Sequence, residues 1–399
     1  MTAKHRVMNA LFITDNVSAM EMLSPIISNL PATWKSTFVY FGENNTRYNL
    51  FQGTDCLALN KFNAKAVREI LNTFTPDILV FAREETTPVE PLFLEAAAQR
   101  GMPTLLVPHG LMVQNSAAVW QSGHLYLLVK QALRKLRRGR ITPLGLLRLG
   151  IFRLCNDFKN KESLSRFNRF SKIAACGETM RDILISGGVD ADNVVVTGSP
   201  KTDSYTQAIK NSKSLVGRTD IRILLLTNYF VEFGLWSPKQ RSMFIQDIYY
   251  AVYDTLSVPL SIRIHPVNEN RQDYMRIRSR HNLRFELCVG SLSDNIRDCD
   301  IAITTSSSSG LEAMAAGKPL IIHNPYNNVT VYDKHSGTYQ SSGLYDLSSI
   351  LKRIVHSGID DNQLEAMNTF VRQQAHILDG MASTRIADLM IDMVKERKI

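Results

Sequence analysis

Residues 300–322 read DIAITTSSSSGLEAMAAGKPLII. The runs Asp300–Thr304 and Pro319–Ile322 have the near-continuous hydrophobicity of strands buried on both faces. Between them Leu311–Ala316 reads as a helix that stops at Gly317-Lys318-Pro319. Strand, turn, helix and strand in that order make one crossover of a parallel sheet. The pattern extends upstream, where Arg222–Leu226, Leu260–Ile264 and Leu283–Glu286 read as strands. In the N-terminal half, strands fall at Val7–Ile13, Ser36–Phe41, Asp77–Ala82, Thr104–Val107, Lys172–Ala175 and Asn193–Thr197. Helical stretches such as Val89–Arg100 and Glu178–Ser186 lie between them. The polar, basic segment Thr206–Thr219 separates the two series as a linker would. The expected fold class is α/β, with two doubly wound, Rossmann-like domains at 1–205 and 220–375. Residues 376–399 add a helix whose apolar positions Ile386, Leu389, Met390 and Met393 share one face, suited to packing back on the first domain.

At 399 residues the chain exceeds a single compact core. It is 44% hydrophobic and 21% charged, with ordinary Gly and Pro, which excludes fibrous and low-complexity classes. No repeat of a solenoid period stands out. No run of 18 apolar residues occurs, so no transmembrane helix is expected. Asn9 interrupts the first apolar stretch, which suits a β-strand better than a signal peptide. Five scattered cysteines without a CxxC pair point to reduced thiols rather than disulfides or a zinc site.

The net charge of +9 is local. Between Glu95 and Asp157 there is no acidic residue, while Arg100, Lys130, Arg134, Lys135, Arg137, Arg138, Arg140, Arg148 and Arg153 are basic; the rest of the chain balances at 37 against 37. In Lys130–Arg153 (KQALRKLRRGRITPLGLLRLGIFR) these cations alternate with Leu, Ile and Phe. A basic amphipathic segment of this kind suits an anionic lipid surface. Nucleic acid is the weaker reading, since the segment has one aromatic and no known nucleic-acid motif. The plain alternative is an insertion that packs on its own domain and leaves its charge in water.

Ligands of doubly wound sheets bind beyond the carboxyl ends of strands. After Leu260–Ile264 comes His265-Pro266, and after Asp300–Thr304 come Ser306, Ser307, Ser308, Ser309, Gly310, Leu311 and Glu312. A serine turn at a helix start offers hydroxyl and backbone donors to an anion, with Gly310 allowing close approach and Glu312 placed to accept from a ribose. The competing reading is an ordinary capping box, Ser309 with Glu312. His265 is placed to donate to a phosphate or give it a proton, and Arg263 adds positive charge.

The order strand, HP, helix, strand, SSSSGLEAMAAGKP, strand resembles the donor domain of GT-B glycosyltransferases of bacterial surface polysaccharide synthesis. The nearest resemblance is to sialyl- and Kdo-transferases and the glycerophosphotransferases that use CDP-glycerol. Val196-Thr-Gly-Ser-Pro-Lys-Thr-Asp203 is similar to a segment near the inter-domain junction of such transferases and of UDP-GlcNAc 2-epimerases, and Asp379–Asp388 to their C-terminal helix. The resemblance implies that His265, Pro266 and Ser306 to Ser309 hold a nucleotide phosphate, and that two domains face a cleft. It implies transfer of a sugar from a nucleotide donor to a glycan or lipid-linked acceptor, by a cytoplasmic enzyme peripheral to the membrane. A CMP-sugar is favoured, with UDP-sugars and CDP-glycerol as alternatives. A UDP-GlcNAc 2-epimerase-like isomerase and a non-catalytic membrane-binding protein of the same fold are the other readings.

In that arrangement the first domain holds the acceptor and the catalytic base. Glu84 and Glu85 follow Asp77–Ala82, His109 follows Thr104–Val107 in a Pro-His-Gly turn, and Asp15 follows the first strand. Glu85 or Glu84 is the favoured base, and Asp15 the runner-up. The strings Asp190–Asp192 and Asp298–Asp300 sit at amino ends of strands, the wrong side of the sheet for a ligand, and read as turns. No motif requires a metal or a cofactor.

Overall fold

The computed structural model describes residues 6–15, 17–41, 55–59, 63–83, 89–112, 164–206, 215–266 and 269–397. Described residues within 6–111, 164–206 and 372–397 form one unit, and those within 215–371 the other. Each is built on one parallel sheet. Glu84, Glu85 and the basic segment 130–153 lie outside the described residues.

The first sheet contains β1 (Met8–Thr14), β2 (Trp34–Tyr40), β3 (Asp55–Ala58), β4 (Ile78–Phe81), β5 (Thr104–Leu106), β6 (Lys172–Ala175) and β7 (Val194–Val196). Their spatial order is β3-β2-β1-β4-β5-β6-β7. Central strands have water on neither face, and β4, reading ILVF, is buried at every position. The edge strand β3 reads DCLA with no fully buried residue, and sequence patterning did not reveal it.

The C-terminal helix Ala382–Glu396 completes this unit. Its Ile386, Ala387, Met390, Met393 and Val394 join Phe12, Met20, Leu23, Phe38 and Val80 in one core. Two polar clasps fix its start. Asp203 Oδ1 and Oδ2 accept the backbone N–H groups of Ala382 and Ser383, each at 2.9 Å. Arg385 Nε donates to the Thr197 carbonyl at 2.7 Å, while its Nη groups grip both oxygens of Asp379 at 2.8 and 3.1 Å. The VTGSPKTD and DGMASTR segments are therefore two halves of one joint. Gly198 and Gly380 take positive φ there (+86° and +77°). A Cβ on Gly380 would stand 2.8 Å from Thr206 Cγ2, so both conformation and space exclude larger residues.

The second sheet contains β8 (Ile223–Leu226), β9 (Leu260–Arg263), β10 (Phe285–Leu287), β11 (Ile301–Thr304), β12 (Leu320–His323) and β13 (Tyr339–Ser341). Their order is β10-β9-β8-β11-β12-β13. The edge strand β13 has the short sequence YQS, which no pattern of two flags as a strand. Helices Pro238–Leu256 and Leu344–Ser357 give Phe244, Ile248, Val252, Leu347, Leu351 and Ile354 to the core. The first starts at a complete capping box, Ser237 with Gln240.

Both sheets reverse direction of growth once. In the first the chain returns to lay β4 beside β1, and in the second it returns to lay β11 beside β8. Those two seams are the topological switch points, where the outgoing loops part and leave a crevice at the carboxyl ends. None of the described helices is long and apolar enough to cross a membrane.

Candidate functional site

In the second unit the switch point lies at Thr227-Asn228-Tyr229 after β8 and at Thr305-Ser306-Ser307 after β11. His265 follows β9 on the other flank of β8. The histidine and the serine turn are thus two strand spacings apart, roughly 10 Å. The tip of β8 stands between them and touches both. Asn228 Oδ1 accepts the Ser306 N–H at 3.3 Å, and the Tyr229 ring meets the His265 ring edge-on at 4.5 Å.

The serine turn is tied down on both sides. Thr304 Oγ1 donates to the Leu226 carbonyl at 2.8 Å and accepts the Ser307 N–H at 3.2 Å. Thr305 Oγ1 donates to the His323 carbonyl at 3.0 Å. From below, the buried Tyr332 hydroxyl donates to the Ser307 carbonyl at 2.8 Å. Burial pushes that hydroxyl's pKa up, and the Glu312 carboxyl adds to the effect.

This geometry corrects several expectations. The helix spans Ser309–Ala315, so Ser309 is its first residue and the Ser309–Glu312 capping box does not form. Ser308 stands at the cap and makes no side-chain cap bond. The Ser309, Gly310 and Leu311 N–H groups donate to Ser307 Oγ, the Ser307 carbonyl and the Ser308 carbonyl, so they serve the turn itself. Hydroxyls of Ser306, Ser307, Ser308 and Ser309, at half-buried or exposed positions, are what the turn offers an anion. Gly310 is required for another reason: a Cβ there would stand 2.8 Å from the Tyr332 hydroxyl and 2.9 Å from Leu320. Glu312 is buried, at 8% exposure, whereas Ser306 to Ser309 are half-buried or exposed.

His265 is half-buried and Pro266 exposed. Arg263 Nη1 donates to the Gly290 carbonyl at 2.7 Å and to Asn295 Oδ1 at 3.2 Å, which fixes the loop after β10. Its visible work is on that loop rather than at the β8 tip.

Sequence reading missed the group that holds His265. Glu269, four residues on, is buried with its side chain fully covered. Its Oε2 accepts the His265 N–H at 2.7 Å and the Thr227 hydroxyl, and its Oε1 accepts the Tyr274 hydroxyl. Burial raises the Glu269 pKa, against the three hydrogen bonds, which lower it. Arg241, itself buried, lies 3.7 Å from Glu269 Oε1 and also pairs with Glu232 at 2.8 Å and Asp273 at 3.4 Å. One carboxylate thus joins the tips of β8 and β9 to the following helix. Its signal in the sequence is the acidic residue closing His265-Pro-Val-Asn-Glu269; Thr227 and Asn228 were accessible to the same strand-end rule that found His265.

In the first unit the switch point falls between β1 and β4. Asp15 after β1 pairs with Arg83 after β4 at 3.5 Å. His109 after β5 meets Ser18 Oγ through Nε2 at 3.0 Å. Asp15, Arg83, Ser18 and His109 therefore gather at one end of the sheet. The Asp-x-Asp strings are turns at the opposite ends of their strands: Asp190 accepts the Asp192 N–H at 3.1 Å, and Asp300 takes Arg218 at 2.6 Å.

Comparison with solved structures finds the same architecture over nearly the whole chain. UDP-GlcNAc 2-epimerase from Neisseria meningitidis, bound to UDP-GlcNAc, is 14% identical with a TM-score of 0.64, over 96% of this chain and 100% of that one. The enzyme of that name from Methanocaldococcus jannaschii is 13% identical with a TM-score of 0.60, over 96% and 100%. The fold is GT-B-like. The wall teichoic acid polymerase TagF, in a structure soaked with CDPG, is 10% identical with a TM-score of 0.58, over 100% of this chain and 91% of that one. No family profile and no curated protein matches the sequence. At these identities the likeness establishes the GT-B-like fold.

Proposed function

We propose that the chain is a glycosyltransferase that takes a sugar from a nucleotide donor held by the second unit. The observation that carries the reading is the placement of His265 and the Ser306–Ser309 hydroxyls on either side of the β8 tip, at the switch point. Hydroxyl and imidazole donors there suit the phosphate or diphosphate of a nucleotide donor, which must be held and then released. A CMP-linked acid sugar is the favoured donor, with UDP-sugars and CDP-glycerol as alternatives. On the acceptor side Asp15 and His109 join Glu84 and Glu85 as candidates for the base. The hydroxyl and imidazole donors take the role of a metal, so activity is read in EDTA. CMP, CDP, UDP and GDP are tested for thermal stabilisation; a ligand at a hundred times its Kd adds about 2.7 kcal/mol. At least one of the four is expected to raise Tm, and His265→Ala to abolish most of that rise. Four flat traces would end the donor assignment.

The likeness to the two epimerase structures favours a second reading, isomerisation of a UDP-sugar without an acceptor. Incubation with donor alone separates them. Conversion of UDP-GlcNAc to an isomer supports the epimerase, and nucleotide release that needs a glycan acceptor supports the transferase.

Lys130–Arg153 fits an acceptor anchored in anionic lipid at the cytoplasmic face of a membrane. Neutralising Lys130, Arg134, Lys135, Arg137, Arg138 and Arg140 is expected to abolish binding to phosphatidylglycerol vesicles and to spare nucleotide stabilisation. Unchanged vesicle binding removes the membrane role.

A further inference from the structure

The opposite end of the first sheet carries a recess that the proposed function does not use. It has a volume of about 590 Å³, within the range of small-molecule sites. Arg6 precedes β1, Arg100 precedes β5 and Arg397 follows the C-terminal helix, and all three line it. Among the described residues its one acidic lining residue is Asp77, whose Oδ1 takes Arg6 at 2.9 Å and whose Oδ2 takes the Asn9 N–H at 2.9 Å. Asp77 is thus committed to the sheet end, and three guanidinium groups face a single engaged carboxylate.

The other two guanidinium groups are held by neutral acceptors that leave their charge uncancelled. Arg100 Nη2 donates to Asn72 Oδ1 at 2.7 Å, and Arg397 Nη2 donates to the Arg100 carbonyl at 3.1 Å. Each guanidinium has five N–H donors, so both retain donors for a ligand. Leu71, Pro76, Met102 and Val394 supply an apolar wall beside them. A set of guanidinium donors that, among the described lining residues, carries a net charge of +2 beside an apolar wall is the complement of a phosphorylated small molecule, since guanidinium forks match phosphate oxygens.

We propose that this recess binds a small molecule bearing a diphosphate, or two phosphates, on an apolar or planar body. It lies beyond the amino ends of the strands, whereas Asp15 and His109 lie beyond the carboxyl ends; the seven residues of β1 separate them by roughly 20 Å. The site is independent of the donor assignment in the second unit.

Inorganic pyrophosphate is the probe, used on the full chain. Phenylglyoxal modification mapped by mass spectrometry is expected to show pyrophosphate protecting Arg100 and Arg397 but not the exposed Arg276. In calorimetry, Arg100→Gln/Arg397→Gln is expected to weaken one binding event by about tenfold or more. His265→Ala should leave that event intact, and Arg276→Gln/Arg280→Gln, with the same change in charge, should leave it too. Equal labelling of Arg100 and Arg397 with and without pyrophosphate overturns the proposal in the unmutated protein, whatever the variants do. So does protection that appears with phosphatidylglycerol vesicles and not with pyrophosphate, which would assign the arginines to a lipid headgroup.

Discussion

Glu269→Ala is expected to destabilise the second unit by about 2–5 kcal/mol, the combined cost of leaving two buried donors without an acceptor. The substitution strips the acceptor from the Tyr274 hydroxyl and the His265 N–H together, while the Thr227 hydroxyl keeps the Arg263 carbonyl at 3.2 Å. Each buried donor left without a partner costs about 1–3 kcal/mol. Arg241 keeps Glu232 and Asp273, so the loss comes from the orphaned donors rather than from a stranded cation. Glu269→Gln retains the shape and one acceptor oxygen, and is expected to lose about half as much, because its amide NH₂ opposes a hydroxyl that itself wants to donate. Urea unfolding followed by far-ultraviolet circular dichroism measures both. A loss under 1 kcal/mol for the alanine variant would show that the network does not organise the strand tips. Where the alanine variant still folds, its affinity for nucleotide should fall as well, since the His265 N–H then loses the carboxylate that ties it to Thr227.

The second large effect is in pH. His323 ends β12 with no exposed surface, its ring stacked on Phe244 at 5.4 Å. The Ser341 hydroxyl gives its one proton to the Gly343 carbonyl at 3.1 Å, so it accepts from His323 Nδ1 at 3.0 Å. That assigns the proton to Nδ1 and leaves Nε2 buried without a hydrogen-bond partner among the described residues. Burial lowers the His323 pKa to about 4, against the weaker opposing pull of Asp346. Between about pH 6.5 and about 4 the unfolded chain binds a proton at this residue and the folded chain does not, so stability rises with pH across that window. Wild type is expected to lose about 2 kcal/mol between pH 7.5 and 5 from this group alone. His323→Asn keeps a donor to Ser341 and cannot titrate, and its unfolding free energy should vary correspondingly less over the same interval. Parallel pH profiles for the two proteins would refute the assignment.

What the sequence made legible follows from what each residue type can report alone. Central strands such as Ile78–Phe81 announce themselves, because burial on both faces demands an unbroken apolar run. The edge strands Asp55–Ala58 and Tyr339–Ser341 escape notice, because half their surface meets solvent and ordinary loop composition suffices. His265 was legible as the residue at a strand end. Glu269 was not, because its meaning lies in Thr227, 42 residues away, and in Tyr274. Gly310 shows how one residue can have a second reason: a glycine in a serine turn suggests a phosphate, and the turn adds the Tyr332 ring pressed against it.

The joint between Asp203 and the C-terminal helix sets a timetable for the chain's birth. Phe12, Met20 and Phe38 leave the ribosome early, yet the face they share is closed by Ile386, Met390 and Met393. At translation speeds of 5–20 residues per second, the interval between residue 206 and the end of that helix lasts roughly 10–40 s. Throughout it the first unit is an open half-core while the second, continuous within 215–371, is free to form. The earlier-synthesised unit is therefore the later one to finish, and its unsealed apolar face is the surface a nascent-chain chaperone would meet.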